Sequence, residues 1–192
     1  MEPTKENIIK VHSIAKETGA DSTCKVLEAL YPDIDFTPQD NRPITERVKT
    51  FEDACAALGE DHCFVQAYRA VEGMTGLGAD LYAYLKLRIV AAALNEGWTP
   101  DWGNKDECKW YPWFYILTQE EYDDLNDEEK CRVVGRASSY AYAHGGLVCS
   151  YACDVSSHSY TSRGARLAFK TKELALYCGK QFGELWASFL VG

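Results

Sequence analysis

Hydrophobic spacing changes period once along this chain, and that change limits the fold more than any motif does. From Lys5 to about Gly97 the apolar residues recur every three to four positions, the spacing of helices with one buried face. Beyond Tyr111, alternation by twos enters at 111–117 and again at 147–153, the spacing of half-buried strands. The stretch Trp98–Phe114 joins the two regimes and holds four of the five tryptophans. The expected fold class is therefore α+β: a helical N-terminal half packed on a small antiparallel sheet, with a C-terminal helix.

Within the helical part, helices are expected over 5–17, with Ile8, Val11, His12 and Ala15 inward, and over about 23–30. Others are expected over 48–58, closed by Gly59, and over 61–72. The strongest helix covers 79–96. Leu81, Tyr84, Leu85, Ile89, Ala92 and Ala93 give it a wide apolar face that only Lys86 and Arg88 interrupt, which places it centrally. Gly97 and Pro100 end it. A loop then spans 99–109, before a strand at 111–117 that turns Tyr111, Trp113 and Tyr115 one way and Phe114 and Ile116 the other. Thr118 with Glu121 three positions later reads as a capping box.

Strands are expected at 132–143 and 147–153 around the turn Gly145-Gly146, with Leu147, Cys149, Tyr151 and Cys153 on one face. The alanines within 128–143 also fit a helix. A short strand at 165–169 and a helix over 172–189 complete the sheet's cover. Pro32, Pro38 and Pro43 mark a linker. The chain accordingly divides into a helical appendage with its linker, 1–44, and a main α+β domain, 45–192.

The longest apolar run, Ile89–Leu94, falls far short of the ~20 residues that cross a bilayer. Acids begin at residue 2 and no apolar h-region comes after them, so no signal peptide is expected. A cytoplasmic location and reduced thiols follow for the eight cysteines. Net charge is −9, which argues against nucleic acid as a partner, although residues 130–192 carry eight bases and three acids.

Three groups of residues are candidate sites. Trp102, Trp110, Trp113 and Tyr115 offer stacking faces for a ligand, with Arg163 and Arg166 on the rim to meet an anionic or polar group. Cys149 with His144 or His158 and Asp154 has the residue types of a thiol hydrolase. Cys149, Cys153 and His158 have zinc-binding atoms, but four residues of strand part the two thiols by about 13 Å, so no metal is expected. Gly73, Gly76 and Gly78 match neither dinucleotide nor P-loop spacing and read as a helix–helix joint.

Four segments, VKTFEDACAALG (48–59), LKLRIVAAALNEGWTPDW (85–102), KWYPWF (109–114) and GARLAFKTKELALYCGKQFGELW (164–186), agree in order and spacing with a family. The chain resembles, over about residues 45–190, uncharacterised proteins of gut Bacteroidetes and their phages or prophages. That resemblance implies no catalytic residues. It points to a non-enzymatic binding or assembly protein of mobile-element type, with a Cys/His-dependent hydrolase and a purely structural oligomeric subunit as the alternatives. The expected partner is a protein or a small polar ligand, and the chain is open to homo-oligomerisation. Neither a cofactor nor a membrane is expected.

Overall fold

In the computed structural model, residues 3–36, 40–135, 145–155 and 167–191 are described. The chain divides into two units, Met1–Arg42 and Pro43–Gly192. No helix among the described residues is long and apolar enough to cross a membrane.

The first unit is a helical hairpin. Helix α1, Lys5–Glu17, starts where the Thr4 hydroxyl accepts from the Asn7 N–H at 3.4 Å, occupying a donor that the first turn cannot satisfy internally. Gly19, at φ 72°, turns the chain into α2, Asp21–Leu30. Ile8, His12 and Ala15 are buried on α1 as the spacing requires, but Val11 is exposed. The buried side of α1 is narrower than expected: α2 packs on it, and Val11 lies outside the covered side. His12 Nε2 lies 2.9 Å from Glu28 Oε1 on α2, and the ring stacks on Phe36 at 4.3 Å. The buried imidazole thus has both a polar and an apolar neighbour.

The second unit begins with a short helix, α3, Ile44–Arg47, followed by α4, Phe51–Leu58. Spacing runs the helical stripe from Val48, while Thr50 and Asp53 offer a capping signal inside it; the structure starts α4 at that signal. Thr50 and Asp53 form a complete capping box, with Thr50 Oγ1 accepting from the Asp53 N–H and Asp53 Oδ2 accepting from the Thr50 N–H. Reciprocal capping sets the helix start at Phe51. Next come α5, Cys63–Val71, and α6, Ala79–Asn95. In α6, Leu87, Ile89, Val90 and Leu94 have no exposed surface. A helix this apolar is stable only when neighbours cover most of its sides, and α4, α5 and the last helix of the chain pack on it.

Strand β1, Lys109–Leu117, pairs antiparallel with β2, Gly146–Val155. Short helices α7, Gln119–Asp123, and α8, Asp127–Lys130, come after β1. The Thr118–Glu121 capping box is present. The two strands form the sheet, flanked by single bridges from Phe169 to Trp110 and from Val134 to Leu147. Among the described residues the expected four-stranded sheet has two strands, and its other two expected strands are represented by single bridges, Phe169 of 165–169 to β1 and Val134 of 132–143 to β2. Residues 136–144, where that strand or the alternative helix was expected, and 165–166 lie outside the described residues.

Trp113 pairs with Tyr151 and Phe114 with Cys149, leaving Ser150 as an extra residue in β2. A bulge reverses the facing of the strand residues beyond it. Directly paired residues share a face, so Cys149 falls with Phe114 and Cys153 with Tyr111. The expectation that Cys149 and Cys153 share a face is therefore wrong. The alternation within β1 is kept: Phe114 lies against Trp186, while Trp113 and Tyr115 meet Tyr151 on the opposite face.

Two helices close the unit, α9, Lys172–Gln181, and α10, Gly183–Val191. A single helix over 172–189 was expected. Phe182 leaves helical geometry, at φ −111° and ψ 31°, while its side chain is buried. Gly183 then passes close to Val134, whose side chain would lie 3.1 Å from an added Cβ. α9 covers the inner face of the β1–β2 sheet, and Gly179 lets it approach. A Cβ there would meet Cys149 Sγ at 2.5 Å and Pro112 Cβ at 2.7 Å.

Candidate functional site

Four residues of α6, Arg88, Ala91, Ala92 and Asn95, lie three, four and seven positions apart, on one side of the helix. They form one wall of a cavity of about 610 Å³. Phe64 from α5 and Trp98, Thr99, Pro100 and Trp102 from the loop after α6 supply other walls, together with Ala168. The two alanines leave room that larger residues would fill. Asn95 is committed to the scaffold: its Nδ2 donates to the Ala168 carbonyl at 2.8 Å and its Oδ1 accepts from the Lys170 N–H at 3.0 Å.

The loop wall is held by a buried cation. Lys109 has no exposed surface, and its Nζ donates to the carbonyls of Asn104 and Glu107, each at 2.8 Å. It also pairs with Glu107 Oε2 at 3.0 Å and lies 5.7 Å from the Trp102 ring centre. The same carboxylate accepts from the Trp98 indole N–H at 3.2 Å and the Asp101 N–H at 2.8 Å. These donors, Lys109 first, hold Glu107 below the usual carboxylate range. The loop expected between helix and strand is therefore cross-braced at both tryptophans.

Arg88 is half-buried and lies over Phe64, its guanidinium carbon 3.9 Å from the ring centre. Its Nε is shut off from water with no hydrogen-bond partner among the described residues. Lys86, the other charge that interrupts the apolar face of α6, rests on Phe51 and Tyr68 at 4.9 and 5.5 Å. Both charges thus enter an apolar helix by lying on aromatic rings.

Comparison with family models, curated proteins and solved structures returns no match. The geometry carries the functional reading.

The expected aromatic groove is not assembled as one surface. Trp102 lines the cavity. Trp110 is half-buried against the main core and bridged to Phe169. Trp113 stacks on Tyr151 at 5.5 Å, and Tyr115 is exposed beside Tyr151. Arg163 and Arg166 lie outside the described residues. The fourth tryptophan of the stretch, Trp98, and the residues Phe64 and Arg88 complete what sequence spacing missed. The one sequence signal for Arg88 was a cation in an apolar helical stripe.

Of the expected hydrolase residues, His144 and His158 lie outside the described residues, and Asp154 stands opposite Trp110 in the strand register. Cys149 is half-buried under α9, and burial pushes its thiol up to about 11. An activated thiol is shifted the other way. Around it lies a smaller cavity of about 290 Å³ with Phe114, Cys131, Arg132, Val134 and Lys180. Among the described residues no three His, Cys, Asp or Glu side chains gather as metal ligands. The glycine-rich turn is tied down by Tyr82, whose hydroxyl donates to the carbonyls of Val71 and Met74, both at 2.7 Å.

Proposed function

We propose that this chain is a non-enzymatic binding protein that holds a small ligand against α6. Its resemblance to proteins of Bacteroidetes and their phages supports a role in a mobile element. The observation that carries the reading is the braced cavity. Three aromatic side chains, Phe64, Trp98 and Trp102, border a space of ligand size, and Lys109 with Glu107 holds the loop that presents two of them. A wall ordered before binding loses little entropy when a ligand arrives. The described walls supply stacking surface and one cation, whereas acid–base or nucleophilic chemistry needs a paired base and nucleophile. The raised thiol of Cys149 weighs against the hydrolase alternative.

A panel of flat aromatic fragments, neutral and charged, tests this reading by NMR of the indole N–H signals. The expected result is that some fragments shift the Trp98 and Trp102 signals and that Ala92→Trp, which fills the cavity, removes the effect. Fragments that leave these two signals unmoved, or that bind the filled variant equally well, would overturn it.

A further inference from the structure

Arg88 differs from the other arginines among the described residues. Arg42 pairs with Asp40, Arg47 with Glu96, Arg69 with Glu60 and Glu72, and Arg132 with Glu128. Arg88 alone among them has no carboxylate, in a chain whose 29 acids outnumber its 20 lysines and arginines. A surplus of acids makes an unpaired arginine something to explain. Its place in the fold makes the case sharper, because the Nε is closed off from water without an acceptor among the described residues. Phe64 at 3.9 Å and Tyr84 at 6.0 Å offer ring faces to the guanidinium. Ring faces offset part of the lost hydration, but they supply neither a hydrogen-bond acceptor nor a net negative charge. Arg88 is also one of the residues that line the cavity.

Resting on the pocket reading above, we propose that the ligand is a flat aromatic monoanion, with its carboxylate on Arg88 and its ring against Trp98 and Trp102. A guanidinium matches a carboxylate in plane and donor spacing. The other acid beside the cavity does not compete, since Glu107 is neutralised by Lys109 at 3.0 Å. A doubly charged phosphate group fits less well. Arg88 is the one cation among the described lining residues, and it sits in the interior of α6, where the helix's own bonds occupy the backbone N–H groups that phosphate sites use. The aromatic walls and a space of about 610 Å³ suit a ring system larger than a single amino-acid side chain.

Calorimetric titration of the full chain with 2-naphthylacetate, its neutral amide and 2-naphthyl phosphate tests the proposal. The carboxylate is expected to bind about tenfold or more tightly than the amide, the worth of a charge-assisted hydrogen-bonded pair, and more tightly than the phosphate. Arg88→Met keeps an unbranched stem over Phe64. It is expected to erase the preference for acid over amide while amide binding persists, which also shows that the variant is folded. Equal binding of acid and amide by the wild type would overturn the inference and leave the pocket reading standing. Tighter binding of the phosphate would overturn the monoanion assignment. Failure of all three to bind, with Ala92→Trp indistinguishable from wild type in the fragment panel, would overturn the pocket reading together with the inference.

Discussion

Two residues show how a single atom decides local behaviour. At Gly179 the missing Cβ lets α9 lie on the sheet, because an added carbon would fall 2.5 Å from Cys149 Sγ and 2.7 Å from Pro112 Cβ. Gly179→Ala is expected to destabilise the protein by about 1–3 kcal/mol, the range for forced overpacking, measured by urea unfolding. Adding Cys149→Ala should recover part of that loss, and Pro112 accounts for the part not recovered. The thiol of Cys149, pushed up to about 11 by burial, should react slowly with iodoacetamide at pH 8, whereas the exposed thiols of Cys63 and Cys131 react first. Peptide mass mapping over time checks the order, and early loss of Cys149 would revive the hydrolase reading.

At the scale of elements, the loop 98–109 is where sequence and structure differ most usefully. Its residues signal a turn-rich connection, and a connection it is. It is braced by Lys109, a residue that spacing assigns to the loop and the structure places at the start of β1. Lys109→Met keeps the buried stem and removes the charge, leaving two carbonyls and a carboxylate without their donor. A loss of about 2 kcal/mol is expected, with a change in tryptophan fluorescence as Trp98 and Trp102 loosen. Acid should act on the same brace. Glu107 is held low by Lys109, then by the Asp101 and Trp98 N–H groups, and Glu96 by Lys170 and Arg47. Carboxyls with depressed folded values contribute stability that is complete above the unfolded value of ~4.3 and fades as the pH falls through the folded values. A pH titration of the melting temperature should therefore be level above about pH 5 and fall below it. In Glu107→Gln the fall should be shallower.

For the whole molecule, the buried core of the second unit draws its residues from Ile44 to Trp186. A chain of residues 43–192 is accordingly expected to unfold cooperatively, with the tryptophan spectrum of the full chain. Leu94→Ala at the centre of α6 should cost about 3 kcal/mol in either chain, as cavities at fully buried leucines do. A difference in that loss between the two chains would show that the first unit contributes to this core.

Much of this architecture was legible in the residues themselves. The period of α6, the caps at Thr118 and Gly59, the strand at 111–117 and the facing of its side chains all come from local spacing, because a helix or strand buries one face by its own geometry. The break at Phe182, the bulge at Ser150 and the separation of Trp113 and Tyr115 from Trp102 do not, since each answers to a neighbour distant in sequence. The candidate site belongs to the second kind. Its aromatic walls stand at 64, 98 and 102 and its cation at 88, and only the packing of α5 and a braced loop against α6 brings them to one cavity. Local spacing records which side of an element is buried, whereas the partner that buries it, and the space left between them, are properties of the tertiary structure.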